Sequence, residues 1–135
     1  MKNPQEIIHL MLSKDAFSNW LGIEVMEITQ GKCSLACKVN ESMLNGFHIA
    51  HGGISYALSD SALAFAANSY GFKCVSIETS ISHTRPAKLN DILTARCTEL
   101  HRGRTTGIYQ VTVTDKSNKT VALFKGTVKI MDEIW

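Results

Sequence analysis

Between His51 and Gly71 the chain reads HGGISYALSDSALAFAANSYG, and its one formal charge is Asp60. The next fixed charges outward are Glu41 and Lys73. At helical spacing the neighbours of Asp60 are Tyr56, Ala57, Leu63 and Ala64, all uncharged. Ser55, Ser59 and Ser61 scatter around such a helix rather than marking a wet stripe. A helix so uncharged all round is expected to be buried, wrapped by the rest of the fold. A lone buried carboxylate would protonate, so its presence implies partners or a task, with a satisfied structural hydrogen bond as the alternative. Gly52 and Gly53 put flexible backbone at the helix start, where free N–H groups and the positive end of the dipole favour an anion or a developing oxyanion. A purely steric reading of the two glycines also stands. Taken with Asp60, they point to acyl chemistry.

Distance adds a constraint. Gly52 and Asp60 are separated by ~12 Å along a helix rising 1.5 Å per residue. A reacting carbonyl needs its oxyanion donor at about 3 Å from the oxygen and the carboxylate close to the carbon. Two helices lying antiparallel across a twofold axis meet that need, each lending its Gly52 end to the other's Asp60. The expectation is a homodimer.

These residues need elements to hold them. Asn3, Pro4 and Glu6 form a helix start with a capping box, followed by an apolar stripe of Ile7, Ile8, Met11 and Leu12. Asp15 caps a short turn, AFSNWL, which Gly22 ends. GIEVMEITQGKCSLACKV reads as two strands joined by a hairpin at Gln30-Gly31. Residues 41 to 52 form a loop and about 53 to 70 the long helix. A strand-like run rich in β-branched residues, KCVSIETSISHTRPA, follows and ends at Pro86. Three alternating runs come after it, with Leu93, Ala95 and Cys97 on one face, then Tyr109, Val111 and Val113, then Ala122, Phe124, Val128 and Ile130. The order α-β-β-α-β-β-β-β with hairpin-length connections predicts a two-layer α+β domain with an antiparallel sheet.

A chain of 135 residues fits a single domain, 1–135. Its 44% hydrophobic and 19% charged content is that of an ordinary globular protein. A net charge of +2 without a basic cluster speaks against nucleic acid as partner. The N-terminus MKNPQEIIHL lacks the apolar run of a secretion signal, and no run reaches membrane-spanning length, so a cytoplasmic protein is expected. Cys33, Cys37, Cys74 and Cys97 form no CxxC pair and read as reduced, largely buried thiols. Neither a metal nor a cofactor is expected.

The stretch NGFHIAHGGISYALSDSALAFAANSYG resembles the signature of the hotdog-fold thioesterases, in the phenylacetyl-CoA-pathway (PaaI-type) branch of the 4-hydroxybenzoyl-CoA thioesterase superfamily. The likeness spans nearly the whole chain, from a leading helix and an LGIEV strand through N-G-x(4)-H-G-G-x(6)-D to a closing GTVKI run. It implies an antiparallel sheet wrapped around a long central helix, a homodimer whose sheets join, and often a dimer-of-dimers tetramer. It also implies hydrolysis of an acyl-CoA thioester to a carboxylic acid and free CoA.

By position, the resemblance makes Asp60 the catalytic carboxylate, as nucleophile or as base for water. The Gly52 N–H becomes the oxyanion donor from the opposite subunit. Asn45 and His51 become residues that order the loop and position water or thioester, and Ser76 a hydroxyl beside the carboxylate. From the residues alone, Asn45-Gly46 is also a common turn pair and His51 a capping or packing histidine. Gly53, His83, Arg85 and Arg102 are candidates for substrate binding; the basic ones, with Arg104, read either as solvated strand ends or as ligands for CoA phosphates. Tyr56, Leu63 and Phe72 are candidate pocket walls. The rivals are a hotdog dehydratase or hydratase, which needs an acid/base pair, and a non-catalytic acyl-CoA-binding protein.

Overall fold

In the computed structural model, which describes residues 1–135, the chain starts with α1 (Pro4–Lys14). Asn3 accepts from the Glu6 N–H and Glu6 answers at the Asn3 N–H, the reciprocal cap expected there. Asp15 caps α2 (Ala16–Leu21), which stops at Gly22 with φ of 74°, a left-handed turn that suits glycine. The hairpin β1 (Glu24–Thr29) and β2 (Lys32–Lys38) turns at Gln30-Gly31, with Gly31 at φ 76°. A 3₁₀ turn (Glu41–Met43) leads to α3 (Gly52–Asn68). Then come β3 (Phe72–His83), β4 (Ile92–Arg102), β5 (Thr106–Thr114) and β6 (Thr120–Ile134). The last strand runs beyond the alternating part ending at Ile130, because Ile134 still pairs with Phe72.

The six strands form one sheet in the order β1-β2-β4-β5-β6-β3, with every neighbouring pair antiparallel. Register aligns rows across it. One row is Leu35, Ala95, Val113, Ala122 and His83; another is Cys33, Cys97, Val111, Phe124 and Ile81. Apart from the β3 members, both rows are buried. Their face packs on Leu58, Ala62, Leu63, Phe65 and Ala66 of α3, and this is the core. All four cysteines are buried free thiols, with burial pushing Cys33 up to about 12 and Cys37 up to about 11. Such thiols are poor nucleophiles.

One feature differs from the expectation and a second lay outside it. First, the sheet does not cover all of α3. Gly53 and Tyr56 are exposed, while Ala57, Asp60, Ser61 and Ala64 are half-buried. These residues recur at helical spacing and form one stripe. A single sheet can cover only one side of a helix, and on the other side α2 contributes little more than a Ser18–Ser61 hydroxyl contact of 2.9 Å. Second, the register of β3 shifts between Ser76 and Glu78. The extra residue of this bulge resets the pleat, so that Ser76 and His83, an odd number of positions apart, both belong to the helix side.

Candidate active site

His51 caps α3 by accepting the Gly53 N–H at its Nδ1, 2.9 Å away. In the neutral ring this leaves the proton on Nε2. The two glycines serve two close approaches. A Cβ at Gly53 would lie 3.0 Å from His51 Nδ1, and one at Gly52 would lie 3.1 Å from His83 Nε2. The steric reading of the glycine pair therefore holds alongside the electrostatic one. Of the first two helical N–H groups, that of Gly53 is taken by His51, whereas that of Gly52 donates to nothing in the chain.

A cleft of about 450 Å³ opens over this terminus, lined by Asn45, His51, Gly52, Ser55, His83 and Arg85 among others. Asn45 turns the chain, as the Asn-Gly pair suggests. Its Oδ1 accepts from the Phe47 N–H at 2.9 Å and the Ile49 N–H at 3.4 Å, which leaves its amide NH₂ uncommitted. Five of the residues singled out from the sequence thus meet in one cleft: Asn45, His51, Gly52, His83 and Arg85.

Asp60 lies elsewhere. It lines a hollow of about 480 Å³ with Phe17, Tyr56 and Ala64, and another of about 260 Å³ with Leu63, Ser76 and Val128. No charge or donor in the chain steadies its carboxylate, and burial alone pushes its pKa up. The structural hydrogen bond that was the alternative for Asp60 is absent from the chain. Ser76 lines the smaller of these hollows together with Asp60. Tyr56 and Leu63 are walls, with the Tyr56 hydroxyl 2.7 Å from Thr79 Oγ1.

Three residues fall outside both places or are otherwise committed. The Arg102 guanidinium donates to the Tyr109 hydroxyl at 3.0 Å and to the Ala67 carbonyl at 3.2 Å, and packs over the Tyr70 ring. It serves the C-terminal end of α3, where a cation is favourable, at the opposite end from the cleft. Phe72 belongs to a depression beside Arg102 and Arg104 rather than to the walls around Asp60. Gly53 has no free N–H to offer a substrate, though it lines the Asp60 hollow. Sequence reasoning passed over Ser55 and Phe17. Ser55 follows Gly52 by three positions, the spacing that puts it on the same helical face, and this was the available signal. No group of three or more His, Cys, Asp or Glu side chains is arranged to hold a metal ion.

The family model described as the thioesterase superfamily matches residues 47–122. The chain belongs to the thioesterase superfamily. This thioesterase is 37% identical over 118 residues to acyl-coenzyme A thioesterase PaaI of Escherichia coli (strain K12), covering 87% of this chain and 84% of that protein. It superposes on the E. coli PaaI structure with a TM-score of 0.95 at 34% identity, covering 97% of this chain and 95% of that one. A Streptococcus mutans UA159 protein solved bound to acetyl CoA matches with a TM-score of 0.81 at 28% identity, covering 84% and 91% of the two chains. The α+β architecture of the thioesterase is the hotdog fold implied by residues 45 to 71.

Proposed function

We propose that this thioesterase hydrolyses an acyl-CoA thioester to a carboxylic acid and free CoA, at sites shared between two copies of the chain. One observation carries the reading. The free oxyanion donor and the unpaired carboxylate are on the same helix but open into different hollows, ~12 Å apart at 1.5 Å per residue. A second copy, antiparallel across a twofold axis, would bring the Gly52 of one to the Asp60 of the other. The names of the relatives supply the substrate class: an acyl-CoA thioesterase, and a protein solved with acetyl CoA.

In this reading the thioester oxygen accepts from the Gly52 N–H, aided by the dipole of α3. Asp60 of the other copy takes a proton from water as that water attacks the carbonyl carbon, or attacks the carbon itself to give, once the thiolate has left, an acyl-aspartyl anhydride that a water then hydrolyses to the acid and free Asp60. The tetrahedral oxyanion collapses, the C–S bond breaks, and the CoA thiolate leaves and takes up a proton. Asn45, through its free NH₂, and His51, through Nε2, position water or thioester. Ser76 stands by the carboxylate, and Arg85 at the cleft rim is suited to a CoA phosphate. The partner copy also has a place to bind. β3 is an edge strand, with Val75 51% and Ile77 57% exposed, so joining two sheets there would satisfy its open backbone. Pairing of two dimers would give the tetramer, and reduced buried cysteines suit the cytoplasm.

Thiol release across aryl-, short- and long-chain acyl-CoAs tests the reading. The wild-type protein should release thiol from at least one class, and Asp60→Asn should lose 10²-fold or more, on the order of a lost general base. No release from any class, or a near-normal rate for Asp60→Asn with deamidation excluded by mass spectrometry, refutes it.

A further inference from the structure

The geometry points to His83 as a second oxyanion-hole donor, placing an Nε2–H beside the Gly52 N–H, with Ser55 as the residue that sets its tautomer. The inference rests on the thioester-hydrolase reading and deepens it. His83 ends β3 on the helix side of the sheet, in the row with Ala122 and Val113. Its ring is so close to Gly52 that a Cβ there would meet Nε2 at 3.1 Å and Cε1 at 3.3 Å. The edge of the ring carrying Nε2 is therefore the one turned to the residue whose N–H is free. Side chain and free N–H open into the same cleft.

The other ring nitrogen is held. His83 Nδ1 is 3.3 Å from the Ser55 hydroxyl, which is itself buried. That hydroxyl has one proton and two acceptors in reach, His83 Nδ1 and the Gly52 carbonyl at 3.2 Å. The Gly52 carbonyl already accepts the Tyr56 N–H in the first turn of α3. The histidine nitrogen has no other donor, and in the proposed arrangement the Ser55 proton goes to it. A neutral imidazole accepting at Nδ1 carries its proton on Nε2, and it donates without needing to be charged.

A backbone N–H and a ring N–H converging on one oxygen are the elements of a two-donor oxyanion hole. As water adds to the thioester carbon, the C=O π electrons move to oxygen, and both donors strengthen their bonds to it. They weaken again when the carbonyl re-forms and the thiolate departs. His83 neither gains nor loses a proton in this cycle, which leaves proton transfer to Asp60. The other reading of His83, a ligand for CoA phosphates, uses the same nitrogen but different substrate atoms.

The test compares two thioesters of the same acyl group, one on CoA and one on N-acetylcysteamine, which lacks every phosphate. His83→Phe keeps a ring but removes the donor, and His83→Gln keeps an N–H near the position of Nε2. His83→Phe should lower kcat by about 10- to 100-fold on both thioesters, at or below the range for losing one oxyanion donor, with KM little changed. His83→Gln should restore most of that loss. A loss confined to KM for the CoA thioester and absent with the truncated one would assign His83 to phosphate binding and overturn the proposal. An unchanged rate in His83→Phe would overturn it too. Ser55→Ala removes only a hydroxyl and should lower kcat by about threefold to tenfold without raising KM. It keeps the proposal open to refutation should circular dichroism show that His83→Phe does not fold, since an unchanged kcat in Ser55→Ala then counts against it. A wild-type protein inert on both thioesters would instead refute the underlying hydrolase reading, so the two failures are told apart.

Discussion

In its proposed role Asp60 carries a cost as well as a task. Its carboxyl is pushed up by burial, with no nearby cation or donor to offset the effect. A pKa raised above the unfolded value of about 3.9 means that the folded state disfavours the ionised form. The resulting stability is fully present below that unfolded value and is lost as pH rises through the folded pKa. Asp60→Asn should therefore be more stable than wild type at pH 7, and the gap should close at acid pH, where both side chains are neutral. Urea denaturation at the two pH values checks it, and an equal midpoint shift at both would rule out ionisation as the cause. Activity should run the other way. The kcat/KM of the wild type should fall on acidification as Asp60 protonates, with its midpoint above that of an ordinary carboxylate. A profile flat through the acid limb on folded protein would exclude a working carboxylate. The lone charge was legible because it stands out against its own helix. What the sequence could not show was its exposure, since that depends on which side of α3 the sheet covers.

Local signals placed the elements well. The Asn3–Glu6 box, the Gln30-Gly31 hairpin and the alternating runs through Leu93, Tyr109 and Ala122 all appear where their chemistry puts them. Long-range partners were out of reach. Arg102 looked free for a phosphate because Ala67 and Tyr109, which hold it, are brought to it only by the fold. The bulge after Ser76 likewise has no local mark, yet it decides which face His83 belongs to. Packing between elements is equally exacting at Gly126. A Cβ there would meet Leu63 Cδ2 at 2.5 Å, and Leu63 is fully buried and walls the Asp60 hollow. Gly126→Ala must shift the buried Leu63 side chain or part β6 from α3, an overpacking that costs about 1–3 kcal/mol. The loss should be visible as a lower urea midpoint. Part of it should also appear in kcat, because Leu63 and Asp60 share a hollow. Full stability in this variant would mean that the sheet and helix give more easily than their packing implies.

At the scale of the whole molecule, the split site makes a prediction about pairs of chains. The two halves of the proposed chemistry open into separate hollows of one protomer, and the uncovered stripe of α3 and the open edge of β3 would offer surface to a second. Gly52→Pro removes the N–H proposed to donate to the oxyanion, and Asp60→Ala removes the carboxylate. Each variant homodimer should be nearly inactive, because every site in it lacks one component. In a mixed dimer the Asp60→Ala chain supplies an intact Gly52 and the Gly52→Pro chain an intact Asp60, and these meet in one of its two sites. Random exchange makes half the dimers mixed, so about a quarter of wild-type activity should return under twofold symmetry. Circular dichroism and size-exclusion chromatography must show both variants folded and dimeric, and differently tagged chains must show that exchange took place. Should proline at the helix start prevent folding, Gly52→Ala takes its place: its Cβ crowds the His83 ring and should displace the second donor, giving a weaker but similarly complementable defect. A site built within one chain would stay broken in every mixed dimer. Verified mixed dimers without recovered turnover would therefore exclude catalysis across the subunit boundary, whatever the acyl group.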